Sequence, residues 1–200
     1  MPETDDRPAD DRTHEEVPTD DRRPSDLRRA PSLVLVNTGH GKGKSTAAFG
    51  VVVRAVAREW CVAVVQFLKS GNWNTGEEKV CRQLGVDWWA MGEGFTWDSA
   101  DLTIDEAVSA GAWQHAKGLI EAGDHTLVVC DEITYPLNWG WVDVADVMAT
   151  ISGRPAHVNI VCTGRDAPPP LIDVADTVTE MRVVKHAYQQ HIRAKKGIDY

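Results

Sequence analysis

Short apolar runs alternate with longer mixed stretches from Leu33 onward. The runs at 33–36, 62–67, 86–91, 126–130 and 157–162 are rich in β-branched residues and too short for helices. They predict buried strands, and a last strand is expected near 178–181. Between them, 44–58 has few helix breakers and predicts a helix. A short helix is expected over 77–84, ended by Gly85, and others over 142–151 and 171–175. The stretch Thr103-Ile104-Asp105-Glu106 reads as a capping box that opens a helix to about Ala122. Its Ile104, Val108, Ala112, His115 and Leu119 form the apolar stripe expected to face the core. Strands that alternate with helices predict an α/β fold, with a mostly parallel sheet and helices on both faces.

The first 30 residues break this pattern. They hold ten acids and six bases, with only Met1, Ala9, Val17, Leu27 and Ala30 apolar. Such a segment buries too little apolar area to offset its ordering entropy. The chain therefore divides into an acidic, proline-rich tail, 1–30, expected to be disordered when free, and one domain, 31–200. The tail is either solvated or orders over an active site or a partner. No internal repeat or second linker stands out.

Composition narrows the class. No apolar run approaches the roughly 20 residues that span a bilayer, so no membrane association is expected. The start, Met1 to Arg7, is acidic and does not read as a secretory signal. Cys61, Cys81, Cys130 and Cys162 are widely spaced and form no CxxC pair. They read as buried thiols of a reducing compartment, which points to the cytoplasm. A net charge of -9 argues against a nucleic-acid binder. Eight tryptophans outnumber the three phenylalanines and three tyrosines, a hint of flat apolar surface for a large ring or a partner.

The strongest chemical signal is Asn37-Thr38-Gly39-His40-Gly41-Lys42-Gly43-Lys44-Ser45-Thr46, which follows a strand and opens a helix. Glycines at 39, 41 and 43 let the backbone turn its N–H groups inward, and the helix N-terminus adds positive potential. Gly43-Lys44-Ser45 fits the end of GxxxxGK[ST], but Thr38 stands where its first glycine belongs. Lys44 is expected on phosphate oxygens and Ser45 on Mg²⁺. Lys42 is an additional cation. Leu127-Val128-Val129-Cys130-Asp131-Glu132 is an apolar strand ending in two acids, the pattern that supplies the metal's other side. Together these predict a P-loop NTPase fold of the RecA-like type. No protein nucleophile is evident. His115 reads as a satisfied core histidine, and His157, His186 and His191 as structural or surface residues.

Further stretches carry a family resemblance: Gly41 to Gly50, Val64-Val65-Gln66-Phe67, Gly94-Phe95-Thr96-Trp97, Trp113-Gln114-His115, Asp131-Glu132-Ile133-Thr134-Tyr135 and Thr163-Gly164-Arg165. The run Ala175 to Arg182, then Val184 to Ala187 and Lys196-Gly197-Ile198-Asp199-Tyr200, complete the set. In this order they resemble the phosphate-loop ATP:cob(I)alamin (corrinoid) adenosyltransferases. The resemblance implies transfer of the 5′-deoxyadenosyl group of ATP to Co(I) of a corrinoid, with release of tripolyphosphate. Co(I) would be the nucleophile, which accounts for the absence of one in the chain. The resemblance places Phe95 and Trp97 beneath the corrin ring, where they displace its lower ligand. It makes Ser45 and Glu132 ligands of Mg²⁺ (or Mn²⁺) with Asp131 beside them, and Arg165 and Glu180 neighbours of the site. It also implies a homodimer and an electron-donating flavoprotein reductase. Another phosphate-loop kinase or ATPase, or a non-catalytic corrinoid- or ATP-binding module, are the alternatives.

Overall fold

The computed structural model describes Thr19 and residues 24–68, 75–92 and 102–199. In chain order the elements are β1 (Val34–Thr38), α1 (Lys44–Val56), β2 (Val62–Gln66), α2 (Gly76–Gln83), β3 (Asp87–Ala90), α3 (Leu102–Ala122) and β4 (Leu127–Asp131). They continue as α4 (Thr134–Asn138), α5 (Val144–Gly153), β5 (Asn159–Thr163), α6 (Pro169–Val174) and β6 (Thr177–Glu180). The strands form one sheet in the order β3-β2-β4-β5-β1-β6, and every pairing is parallel.

The period of two along each strand divides the core. Val34, Val36, Val128, Cys130, Ile160 and Cys162 face one side, where Ala112, Trp113, Ile120, Val147 and Leu171 of α3, α5 and α6 cover them. Val62, Val64, Leu127, Val129 and Val161 face the other, under Ala48, Phe49 and Val52 of α1 and Cys81 of α2. Central strands buried on both faces need continuous apolar runs, which is why these were legible. β6 is an exposed edge strand. The expected α/β architecture, with helices on both faces, is therefore the observed one. No helix among the described residues is long and apolar enough to cross a membrane.

The structure departs from the sequence expectations in several places. Helix α3 begins at Leu102, so Thr103 lies within its first turn. Its buried face is Asp105, Ser109, Ala112, Trp113, Ala116 and Ile120, while Ile104 is 54% exposed. Small residues at 112 and 116 let the helix approach closely, and Trp113 Nε1 donates to Asp146 Oδ2 at 2.7 Å. Docking thus rotates the helix away from its most hydrophobic stripe. His115 lies edge-on to Trp89, ring centres 4.5 Å apart, and its buried Nε2 has no hydrogen-bond partner among the described residues. It is not the satisfied histidine expected. Cys61 is exposed; only Cys81, Cys130 and Cys162 are buried. Helix α4, five residues long with Pro136 inside it, was not foreseen because it is too short to show a period.

The order of strands puts β5 between β1 and β4. The loop after β1 and the acids ending β4 therefore open at the same edge, one strand apart. In open α/β sheets this carboxyl edge is where ligands bind.

Candidate active site

The phosphate loop is built by backbone constraint. Gly39 has φ +90° and Gly43, which precedes α1, has φ +112°. L side chains rarely adopt either conformation. The chain leaving β6 crosses the loop. Met181 N–H donates to Thr38 O at 2.8 Å, and Gly41 N–H donates to Met181 O at 2.6 Å. A Cβ on Gly41 would stand 2.7 Å from the Met181 carbonyl. Glycine at 41 is thus demanded by a neighbouring strand, whatever the loop holds.

Lys44 opens α1 and folds back, its Nζ donating to Gly41 O at 2.8 Å. Burial depresses its pKa first, and the Arg165 guanidinium second, against the opposing pull of Glu132, Asp131 and Asp166. The ammonium thus lies within the electrostatic influence of one guanidinium and three carboxylates. Ser45 follows in the first turn of α1, partly buried. Thr46 lies on the exposed side.

Asp131 is fully buried at the end of β4. Gln66 Nε2 donates to its Oδ2 at 2.9 Å, and Thr163 Oγ1 donates to its Oδ1 at 2.7 Å. The same Thr163 oxygen accepts the Glu132 N–H at 2.9 Å. Glu132 has φ +68°, a left-handed conformation uncommon for a non-glycine residue. Thr163 therefore ties two consecutive acids together: it fixes the carboxylate of one and the backbone of the next. Strain held in place by a buried bond, at the mouth of a phosphate loop, is the pattern of a functional turn.

The turn after β5 is equally constrained. Gly164 has φ +140°, and a Cβ there would lie 1.9 Å from Thr134 Oγ1. That hydroxyl donates to Arg165 O at 2.6 Å, and Asn138 Nδ2 donates to Asp166 O at 2.9 Å. Thr38 Oγ1 accepts the Ala167 N–H at 3.0 Å, which joins this turn to the phosphate loop. His40 Nε2 meets Asp166 Oδ1 at 3.0 Å on the exposed side. Glu180 stands in register with Thr38, and Arg182 Nη2 donates to its Oε2 at 3.5 Å. Lys42 pairs with Asp199.

Lys44, Asp131, Glu132 and Arg165 thus lie at one edge of the sheet, at or after the ends of β1, β4 and β5, with Thr38, Gly39, Gly41, Gly43 and Ser45 forming the loop beside them. His40, Lys42, Thr46 and Glu180 lie on its rim. Phe95 and Trp97 lie outside the described residues. Sequence reasoning missed the supporting roles of Gln66, Thr163 and Met181. Gln66 carried one signal, a polar side chain at the end of an otherwise apolar strand. Thr163 and Met181 fall within stretches that carry the family resemblance, but nothing in the sequence tied them to Asp131 or to Gly41.

A family profile described as ATP:corrinoid adenosyltransferase BtuR/CobO/CobP matches residues 30–200. Corrinoid adenosyltransferase of Pseudomonas aeruginosa is 43% identical over 182 residues, covering 90% of this chain and 89% of the relative. Corrinoid adenosyltransferase CobA of Salmonella typhimurium is 38% identical over 180 residues, covering 90% and 91%. A corrinoid adenosyltransferase of Sinorhizobium sp is 41% identical over 172 residues, covering 84% and 80%.

Proposed function

The chain belongs to the ATP:corrinoid adenosyltransferase family and catalyses ATP-dependent adenosylation of corrinoids, and on that premise we propose which of its residues do the work. ATP and a corrinoid are its substrates. Co(I) attacks C5′ of the ribose, a cobalt–carbon bond forms, the C5′–O bond breaks, and its electron pair leaves with the tripolyphosphate. The protein's task is then to position two substrates and to stabilise charge on the departing chain.

Lys44 and the amides of 39–45 bind that chain. The reading is carried by one observation: Lys44, partly buried at the start of α1, folds its ammonium back over the loop onto Gly41 O at 2.8 Å, at the carboxyl edge of the sheet where Asp131 ends β4. Arg165 adds a second cation. His40, Lys42 and Thr46 border the triphosphate path, with Glu180 flanking the loop. Phe95 and Trp97 pack against the corrin face, remove its lower ligand and so favour reduction of the cobalt.

The donor set also fits Mg²⁺, with Mn²⁺ as the alternative. Ser45, Asp131 and Glu132 offer only hard oxygens. No group of three His, Cys, Asp or Glu side chains comes together among the described residues. The fit is to an ion that arrives with the phosphates and keeps waters of its own. Both oxygens of Asp131 accept hydrogen bonds within the protein. Asp131 therefore suits holding a metal-bound water, and Ser45 and Glu132 suit direct ligation. Bound there, Mg²⁺ would neutralise phosphate charge.

We further take the domain to run from 31 to 200, preceded by the acidic tail, and the active species to be a cytoplasmic homodimer served by a flavoprotein reductase. Anaerobic mixing of the protein with MgATP and chemically reduced cobalamin tests the reaction. A light-sensitive adenosylcobalamin spectrum with stoichiometric tripolyphosphate is expected. ADP without a cobalt–carbon bond would refute it. Trp97→Ala should abolish turnover from Co(II) plus reductant and spare ATP binding.

A further inference from the structure

The stretch Lys196-Gly197-Ile198-Asp199 has no part in the chemistry above, yet it returns to the phosphate loop. Its turn closes on itself: Ile198 N–H and Asp199 N–H both donate to Lys195 O, at 3.0 and 2.8 Å, and Lys195 N–H donates to Asp199 Oδ2 at 2.6 Å. Gly197 takes φ +82°, which permits the turn. The free oxygen of Asp199 then meets the Lys42 ammonium. Beside the pair, Ile198 helps to line a cavity of about 460 Å³ with Thr46, Phe49 and Val53 of α1 and Val80 and Cys81 of α2. The turn therefore borders the groove beside α1, with Ile198 72% exposed, and its side-chain contact to the loop runs through Lys42.

Lys42 sits between Gly41 and Gly43, the most pliable part of the loop. Met181 holds Gly41 through its backbone, while Lys42 is held through its side chain. We propose that Asp199 is a positioning residue for ATP, acting through Lys42: the 195–199 turn clips the phosphate loop into its binding shape before the nucleotide arrives. A loop ordered in advance loses less freedom on binding. The Asp199 carboxyl lies below its ordinary pKa because of the Lys195 N–H first and Lys42 second, so it stays ionised at neutral pH. Lys42 is 48% exposed and Asp199 23%, so solvent screens the pair and its effect is modest.

The proposal rests on the phosphate-loop reading, and the experiment separates the two. Full-length Asp199→Asn, Lys42→Gln, the double variant, Asp199→Glu and Lys44→Ala are assayed with MgATP and saturating cob(I)alamin. Asp199→Asn should raise KM for ATP roughly two- to fivefold at low salt, acting on KM in preference to kcat. The increase should vanish in the Lys42→Gln background and be largely restored by Asp199→Glu. An unchanged or lowered KM, or an equal increase in both backgrounds, overturns the clip. ATP binding that survives Lys44→Ala overturns the loop reading itself. Loss of binding in Lys44→Ala beside a silent Asp199→Asn overturns the clip alone.

Discussion

Thr163→Val removes one hydroxyl from the centre of the site and leaves nearly the same shape. Thr163 is fully buried, so water does not replace what is lost. The hydroxyl donates to the Asp131 carboxylate at 2.7 Å, a bond to a charged group worth about 1.5–3 kcal/mol. It also accepts the Glu132 N–H at 2.9 Å, worth about 0.5–1.5 kcal/mol. Together the loss is about 2–4.5 kcal/mol, or a fall in Tm of roughly 4–18 °C for a domain of this size. Gln66 still holds the other Asp131 oxygen, so the fold should survive. Glu132, released from its φ of +68°, should relax and weaken the metal requirement's geometry. Urea unfolding and a Mg²⁺ titration of turnover measure the two effects. Thr163→Ser keeps the hydroxyl and should recover most of both. A Val variant within about 0.5 kcal/mol of the parent, with an unchanged Mg²⁺ dependence, would refute the idea that this hydroxyl organises the acids.

Lys44→Met should abolish ATP binding and yet raise Tm. Burial and Arg165 disfavour its charge, a penalty present at neutral pH and relieved as pH climbs through its lowered native pKa towards 10.5. The gain in Tm should therefore shrink in alkaline buffer, and equal Tm values at pH 7 would contradict it. Gly41→Ala should push Met181 off the loop, because its Cβ would sit 2.7 Å from the Met181 carbonyl. Weaker ATP binding with a lower Tm is expected in calorimetry. Asp146 accepts from Lys117 and Trp113, which hold its carboxyl below 3.8. Its stabilising effect is complete above that value and lost as pH falls through the lower native one. Asp146→Asn should be destabilised at pH 7, with the difference closing in acid.

Much of this protein was decided within short windows of sequence. Runs such as Val62-Ala63-Val64-Val65 read as strands buried on two faces, because they are rich in β-branched residues, continuously apolar and too short for a helix. The spacing of Gly39, Gly41, Gly43 and Lys44 after a strand fixes a phosphate loop by local backbone chemistry alone. The acids 131 and 132 are legible for the same reason: they terminate an apolar run. Tertiary structure decided what local patterns cannot carry. Which face of α3 is buried depends on close packing at Ala112 and Ala116, so its hydrophobic stripe misled. Whether Asp131 or Glu132 is available depends on Thr163 and Gln66, which reach Asp131 from neighbouring strands on either side of β4. The second demand for glycine at 41 comes from Met181, which lies 140 residues later and meets the loop only because β6 pairs with β1. Contacts between remote strands depend on register and strand order, and no window of adjacent residues contains either.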